Sequence, residues 1–241
     1  SYISEKLYPE YFKPEYENMG VYMAVNFLLP PYHILSKKPI RSLEDIQGLK
    51  IRASGGSSSR MWKALGAVPV ALPSPEIYNA FQRGMIDAVA WNASGFQVYR
   101  LHEVGKHITP LNISSVMCTC CFNKKTFDEL PESLKDVFYN QLRVFSNILG
   151  ESWSKHEDIA LEQLKELGVE VHELPEAELN RWKEKTQPLW DQFVEQNEAE
   201  GRPARALVED LKRLQQEHRD WPDERFSREV RENPIQDIID Y

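Results

Sequence analysis

The chain has 241 residues, enough for one large domain or two modest ones with a real core. Its composition, 41% hydrophobic and 27% charged, excludes a disordered chain, and no apolar run reaches the roughly 18–20 residues of a membrane helix. With 29 Lys and Arg against 37 Asp and Glu, the net charge of −8 argues against a nucleic-acid footprint, and three cysteines do not make a disulfide framework. An acidic globular chain of mixed architecture with a small partner is what these bounds leave.

The opening Ser1-Tyr2-Ile3-Ser4-Glu5-Lys6 has neither a basic nor an apolar leader region, so the residues alone leave the compartment open. Residues 1–19 predict a helix interrupted at Pro9 and Pro14. Val21–Leu28 predicts a strand that Pro30-Pro31 stops. Ser42-Leu43-Glu44-Asp45 resembles a capping box opening a one-turn helix that Gly48 closes. From Leu49 the pattern alternates strand and helix: a strand at 49–53, the loop Ser54-Gly55-Gly56-Ser57-Ser58, and a helix carrying Met61, Trp62 and Leu65. Next come a Pro-containing edge piece at 68–71, a helix capped by Ser74-Pro75, and a buried strand over Met85–Trp91.

A helical stretch with Val98, Leu101 and Val104 follows, then a strand group at 115–122. One long helical pattern runs from Pro131 to Leu167 and ends at Gly168; its length suits a bridge between two lobes. Val169–Leu174 alternates as a strand, two helices span about 175–197 and 203–218, and an acidic, irregular C-terminus closes the chain. Apolar side chains at Trp221, Phe226, Ile235, Ile238 and Ile239 predict that this tail packs on the body or on a second subunit.

Arg52 is the first candidate for chemistry. It ends a strand just before a Gly/Ser loop and a helix start, where α/β folds place ligands. A guanidinium there holds a carboxylate with two parallel bonds, and the neighbouring amides of Ser54 and Gly55 add to the attraction. The competing reading is a surface Arg leaning over the loop. Neither a phosphate loop nor a dinucleotide fingerprint is present. Trp91-Asn92 is the second candidate: a ring to wall a ligand and an amide to donate to its oxygens, against a core Trp with a turn-forming Asn. Both strand tips occupy equivalent positions and should converge.

Cys118 and Cys120 share one strand face and Cys121 points to the other, so the trio reads as small buried hydrophobes. The six histidines are scattered in sequence, and no triad, dyad or metal cluster emerges. Acidic runs near 195–200 and 223–232 read as solvated helix faces. Binding is therefore favoured over catalysis. The alternatives are a Cys-dependent enzyme acting on a small carboxylated substrate and a ligand-sensing module.

The order Ser36-Lys37-Lys38-Pro39-Ile40, then Ser42–Arg52, Ala64-Leu65-Gly66-Ala67, Pro73–Ala88 with Gly84-Met85-Ile86-Asp87, and Leu130-Pro131-Glu132, resembles the TRAP transporter solute-binding proteins of the DctP-like family over most of residues 20–200. The resemblance implies an α/β, two-lobed periplasmic binding protein with hinge strands and a long lobe-crossing helix. It implies a first lobe from 1–30 and 118–160, a second from 31–117 and 168–200, and a packed C-terminal segment 201–241. Two or three βα units that open the relatives' first lobe are expected to be missing here.

The function so implied is capture of a small organic acid between the lobes for a membrane permease in the periplasm, with no enzyme chemistry, cofactor, metal, nucleic acid or membrane insertion. Arg52 would pair with the ligand carboxylate. Trp91, Asn92, Tyr32, Ser54, Gly55 and Phe96 would line the site. Ala90 stands where many relatives have an acid, which argues against metal-assisted binding there. Pro31-Tyr32-His33 makes Tyr32 the hydroxyl donor and argues against a sialic-acid-type ligand.

Overall fold

The structure, a computed structural model, describes residues 1–240, which divide into two compact units. The first comprises 1–29, 117–154 and the chain from Val194 onward; the second comprises 30–116 and 155–193. The C-terminal segment is thus counted with the first unit, and the division inside the long helix falls at Ser154/Lys155.

In the first unit α1 (Tyr2–Tyr11) runs through Pro9 rather than stopping there; the break falls at Phe12, before α2 (Lys13–Asn18). Gly20, at φ +74°, turns the chain into β1 (Val21–Leu28). β1 pairs antiparallel with β7 (Met117–Asn123) in a two-stranded sheet whose register shifts between Met23 and Val25. The Asn123 side chain caps α6 (Lys124–Asp128), and α7 (Glu132–Glu166) begins after Pro131.

The core of this unit gathers Tyr8, Tyr22, Met23, Phe127, Tyr139, Ile238 and Ile239. The tail is anchored there: Tyr139 Oη donates to the Ile235 carbonyl at 2.6 Å and accepts from the Ile238 amide at 3.3 Å. Its middle is not irregular, since Asp223–Glu232 forms a helix after Pro222.

The second unit is built on a six-stranded sheet: β4 (Val68–Ala71), β3 (Lys50–Ala53), β5 (Ala88–Trp91), β2 (His33–Ser36), β6 (His107–Thr109) and β8 (Glu170–Val171), in that order. β2 runs antiparallel to both its neighbours; the pairs β3–β4, β3–β5 and β6–β8 are parallel. The strand period sorts side chains into two core layers. Ile34, Ile51, Ala53, Ala88 and Ala90 face one layer with Trp62, Leu65 and Trp182. Leu35, Val89 and Ile108 face the other with Ile77, Phe81, Phe96 and Leu164. Val68-Pro69-Val70-Ala71 sits at the sheet edge, where Pro69 costs no ladder bond.

Several local expectations are corrected. Residues 43–48 form turns rather than a helix, because Asp45 turns back to accept from the Arg41 and Ser42 amides at 2.8 and 3.0 Å. Ser74 makes no side-chain cap and lies inside a 3₁₀ turn (Ser74–Glu76) before α4 (Ile77–Gln82). The buried strand is only Ala88–Trp91, with Met85 exposed. Val98 is exposed at the end of α5 (Ala93–Val98), which stops short of Leu101. Pro188 splits the expected 175–197 helix into α8 (Glu176–Thr186) and α9 (Pro188–Ala199); α10 is Ala204–Glu217, and the tail helix Asp223–Glu232 is α11.

Candidate functional site

Register and strand period bring Arg52 and Trp91 together. Arg52 on β3 lies opposite Val89 on β5, and Trp91 is two residues beyond Val89, on the same face. The guanidinium carbon of Arg52 is 4.8 Å from the Trp91 ring centroid, and its Nε donates to the Leu72 carbonyl at 3.2 Å. Trp91 stacks in turn on Tyr99, with centroids 4.9 Å apart at 29°. Arg52 is only 6% exposed. Burial pulls its guanidinium below the ordinary arginine range, and the phenols of Tyr32 and Tyr99 act weakly the other way.

A buried arginine normally meets a carboxylate, because the unpaired ion is costly. Arg143, 1% exposed in the first unit, does so: its Nη1 is 3.2 Å from Glu5 Oε1, and its Nη2 donates to the Ala24 carbonyl. Among the described residues no carboxylate lies within salt-bridge distance of Arg52.

The remaining sequence candidates fall around this pair in different ways. Gly55, at φ +92° and ψ −174°, occupies the cap position of α3 (Gly56–Ala64) in a conformation only glycine adopts readily, and Ser54 beside it is exposed. No side chain caps α3, so its first amides are open. Asn92 is committed locally: its Oδ1 accepts from the Gly95 amide at 2.9 Å and the Ser94 hydroxyl at 3.3 Å, capping α5. Tyr32 is buried in the core layer of Ile34 and Trp62, with its amide donating to the Ser114 carbonyl at 2.8 Å. Phe96 is fully enclosed in the other layer, so its ring serves packing.

Other participants carried no local signal. Tyr99 is eight residues from the ring it stacks on, and Leu72 contributes only a carbonyl. Gly95 makes room for the indole: a Cβ there would lie 2.8 Å from Trp91 Cδ2. Glu157, reaching from α7, accepts from the Ala93 amide at 2.5 Å and the Ser94 amide at 3.2 Å, a carboxylate on the α5 amides. Its Oε1 is also 3.2 Å from Nε2 of His33, which pairs across from Trp91. The Ser58 hydroxyl and Trp62 Nε1, one helical turn apart on α3, are buried without hydrogen-bond partners among the described residues.

Two readings of the cysteines and histidines are corrected. Cys120 and Cys121 are exposed and Cys118 is half-buried, because they sit on a two-stranded sheet. Burial, then the neighbouring Cys120, pushes the Cys118 and Cys121 thiols up, away from the thiolate a nucleophile needs. The histidines are not all scattered in space: His107 and His172 meet Glu170 at the β6–β8 edge.

Comparison with known proteins bears on the whole arrangement. Residues 32–197 match the model of the bacterial extracellular solute-binding proteins of family 7, DctP. The C4-dicarboxylate-binding periplasmic protein DctP of Rhodobacter capsulatus is 28% identical over 164 residues, 67% of this chain and 49% of that protein. This chain thus spans about half the length of the curated relatives it matches. Among solved structures, a TRAP periplasmic solute-binding protein from Bordetella bronchiseptica with bound (R)- and (S)-mandelate superposes with TM-score 0.77 at 24% identity, covering 88% of this chain and 70% of that one. Another from Sulfitobacter sp. NAS-14.1 with bound β-D-galacturonate gives 0.74 at 20% identity, covering 83% and 66%. The fold is that of TRAP periplasmic solute-binding proteins, and no helix among the described residues is long and apolar enough to cross a membrane.

Proposed function

The chain belongs to the bacterial extracellular solute-binding proteins of family 7, and from that membership we propose that it captures a small organic acid in the periplasm for delivery to a TRAP-type membrane permease. The observation that carries this reading is Arg52, a buried guanidinium at a strand tip with no carboxylate among the described residues within salt-bridge distance, against an indole that is itself backed by a phenol.

A ligand carboxylate is what completes such a group. The planar fork of Arg52 matches two carboxylate oxygens, and its Nε bond to Leu72 fixes the direction in which the fork points. Trp91 supplies a flat apolar wall for the carbon skeleton of the acid. Ser54, Gly55 and the open amides of α3 lie on the same strand-to-helix turn and add neutral donors for the second oxygen or a neighbouring hydroxyl. The Tyr32 phenol completes the polar side. Asn92 and Phe96 act from behind, one by capping α5 and the other by packing beneath it. Capture needs no covalent step, cofactor or metal at Arg52, and the raised thiols of Cys118 and Cys121 disfavour the Cys-dependent enzyme. The acids held by the two structural neighbours, mandelate and galacturonate, belong to the class Arg52 suits.

The test is a thermal-shift screen of monocarboxylic, dicarboxylic and sugar acids on the purified chain. A ligand at about 100 times its Kd stabilises by about 2.7 kcal/mol, a shift of several degrees. Stabilisation by at least one acid, abolished in Arg52→Ala, supports the proposal. Retention of full affinity in Arg52→Ala removes Arg52 from the site and the proposal with it.

A further inference from the structure

The β6–β8 edge carries a second constellation, away from Arg52. His107 and Glu170 are in-register partners on neighbouring strands, and His172 lies two residues past Glu170 on the same face. The His172 amide donates to the Ile108 carbonyl at 2.8 Å, which extends the pairing through this residue. His107 Nδ1 is 3.0 Å from His172 Nε2, and Glu170 Oε2 lies 3.5 Å from the first and 3.4 Å from the second. Both imidazoles are mostly enclosed, with side chains 18% and 12% exposed, while Glu170 is 66% exposed and opens the cluster to solvent.

We propose that His107, His172 and Glu170 form a binding site for Zn²⁺ or a similar borderline divalent cation. A tetrahedral Zn²⁺ with bonds of about 2.0–2.2 Å holds its ligand atoms about 3.3–3.5 Å apart. The three separations here sit near that triangle. The carboxylate oxygen is nearly equidistant from both nitrogens and too far from either for a good hydrogen bond, which is ligand spacing rather than ion-pair spacing. Two imidazoles with one carboxylate is a donor set suited to Zn²⁺ and unsuited to Mg²⁺ or Ca²⁺. The open side of Glu170 leaves the fourth position to water. Bound metal would tie β8, only two residues long, to β6.

The site lies two strands along the sheet from Trp91 and at the opposite end, since His107 is level with Ser36 whereas Trp91 is level with His33. Variants there therefore leave the carboxylate site as an internal control. The experiment uses the full chain with its thiols alkylated, so that Cys118, Cys120 and Cys121 do not compete, and titrates ZnCl₂ against a chromophoric chelator. One equivalent is expected to bind and to raise the melting temperature. His107→Ala and His172→Ala should each weaken binding at least tenfold, and Glu170→Gln by less. Stoichiometric binding that is undiminished in both histidine variants, or no binding by the alkylated wild type, overturns the proposal. A measurement on the unmutated chain guards against misfolded variants: Zn²⁺ should slow diethyl pyrocarbonate modification of His107 and His172 several-fold relative to the other four histidines. Equal modification with and without the metal also overturns it.

Discussion

Arg52 and Trp91 form a cation–π pair at 4.8 Å in which the cation, among the described residues, lacks the carboxylate that its burial calls for. The indole gives back an estimated 0.5–2 kcal/mol, well short of the several kcal/mol that burying an ion costs. Among the described residues, the charge near the end of β3 therefore has no carboxylate to offset the cost of its burial.

That imbalance predicts an inverse relation between stability and binding. Arg52→Met removes the charge while keeping the bulk, so the unliganded melting temperature should stay level or rise. The ligand-induced shift should vanish in the same variant. Differential scanning fluorimetry with and without the acid identified by screening reads both quantities, and a clearly lowered unliganded melting temperature would mean that Arg52 is a structural member instead.

Trp91→Ala should act differently. It removes both the ring above the guanidinium and the stacking partner of Tyr99, and the expected loss of about 1–2 kcal/mol corresponds to a rise in Kd of about five- to thirtyfold. Trp91→Phe should lose less, since a smaller ring still covers Arg52. Isothermal titration of the three proteins checks the order wild type, Phe, Ala.

Gly95→Ala is expected to damage the same site from behind. The new Cβ would meet Trp91 ring atoms at 2.8–2.9 Å and the capping Asn92 oxygen at 2.8 Å, so the indole or α5 must shift. Overpacking of this kind costs about 1–3 kcal/mol. A lowered melting temperature together with weakened acid binding is the expected pair of results; unchanged binding would show that the indole position is not critical.

How far the sequence discloses this site depends on the range of each interaction. Arg52, Trp91 and the Gly55 turn are legible because strand ends and glycine turns are written in neighbouring residues, and the alternating pattern from Leu49 to Trp91 fixes their parallel placement. The edge position of Val68–Ala71 follows from one proline. Tyr99, Glu157 and His33 are not legible, since each acts on a partner supplied by another element. The exposure of Cys120 and Cys121 was hidden for the opposite reason: an apolar run looks the same in a covered sheet and in a two-stranded one. Glu170 and His172 share a face in the alternating run Val169–Leu174, but nothing local announces that His107, more than sixty residues earlier, pairs beside them.

Acid should loosen the second unit through Arg181. Its guanidinium holds Glu44 at 2.6 Å and Glu178 at 2.7 Å, and Glu178 also accepts from the Leu43 amide at 2.7 Å, stapling α8 to the 43–48 turns. The Arg181 hydrogen bonds hold the Glu44 carboxyl at about 2, well below the ordinary carboxylate value of 4.5. Burial alone would raise Glu178, but the Leu43 amide, Arg181 and Trp182 Nε1 outweigh it and hold that group low as well. A carboxylate lowered by folding contributes stability that is complete above its unfolded value and disappears as pH falls through its folded value. The melting temperature should therefore decline between about pH 4.5 and pH 2. In Arg181→Gln that decline should be shallower, starting from a slightly lower neutral-pH value; parallel curves would show that the staple contributes nothing.

The paired arginine of the first unit makes the complementary prediction. Glu5 and Arg143 are both almost fully enclosed, and Glu5 is held above the ordinary carboxylate range because burial outweighs the nearby guanidinium. Arg143→Met leaves that carboxyl without its partner and also orphans the Ala24 carbonyl, so a loss of about 3–5 kcal/mol is expected. Adding Glu5→Leu should recover much of the loss, because a dry apolar pair often replaces a buried ion pair without net cost. Urea unfolding of the wild type, the single variant and the double variant gives the coupling directly. The contrast with Arg52→Met, which is expected to lose no stability, separates an arginine whose partner is built into the fold from one whose partner, on the proposed function, arrives as ligand. Equal destabilisation by the two substitutions would erase that distinction.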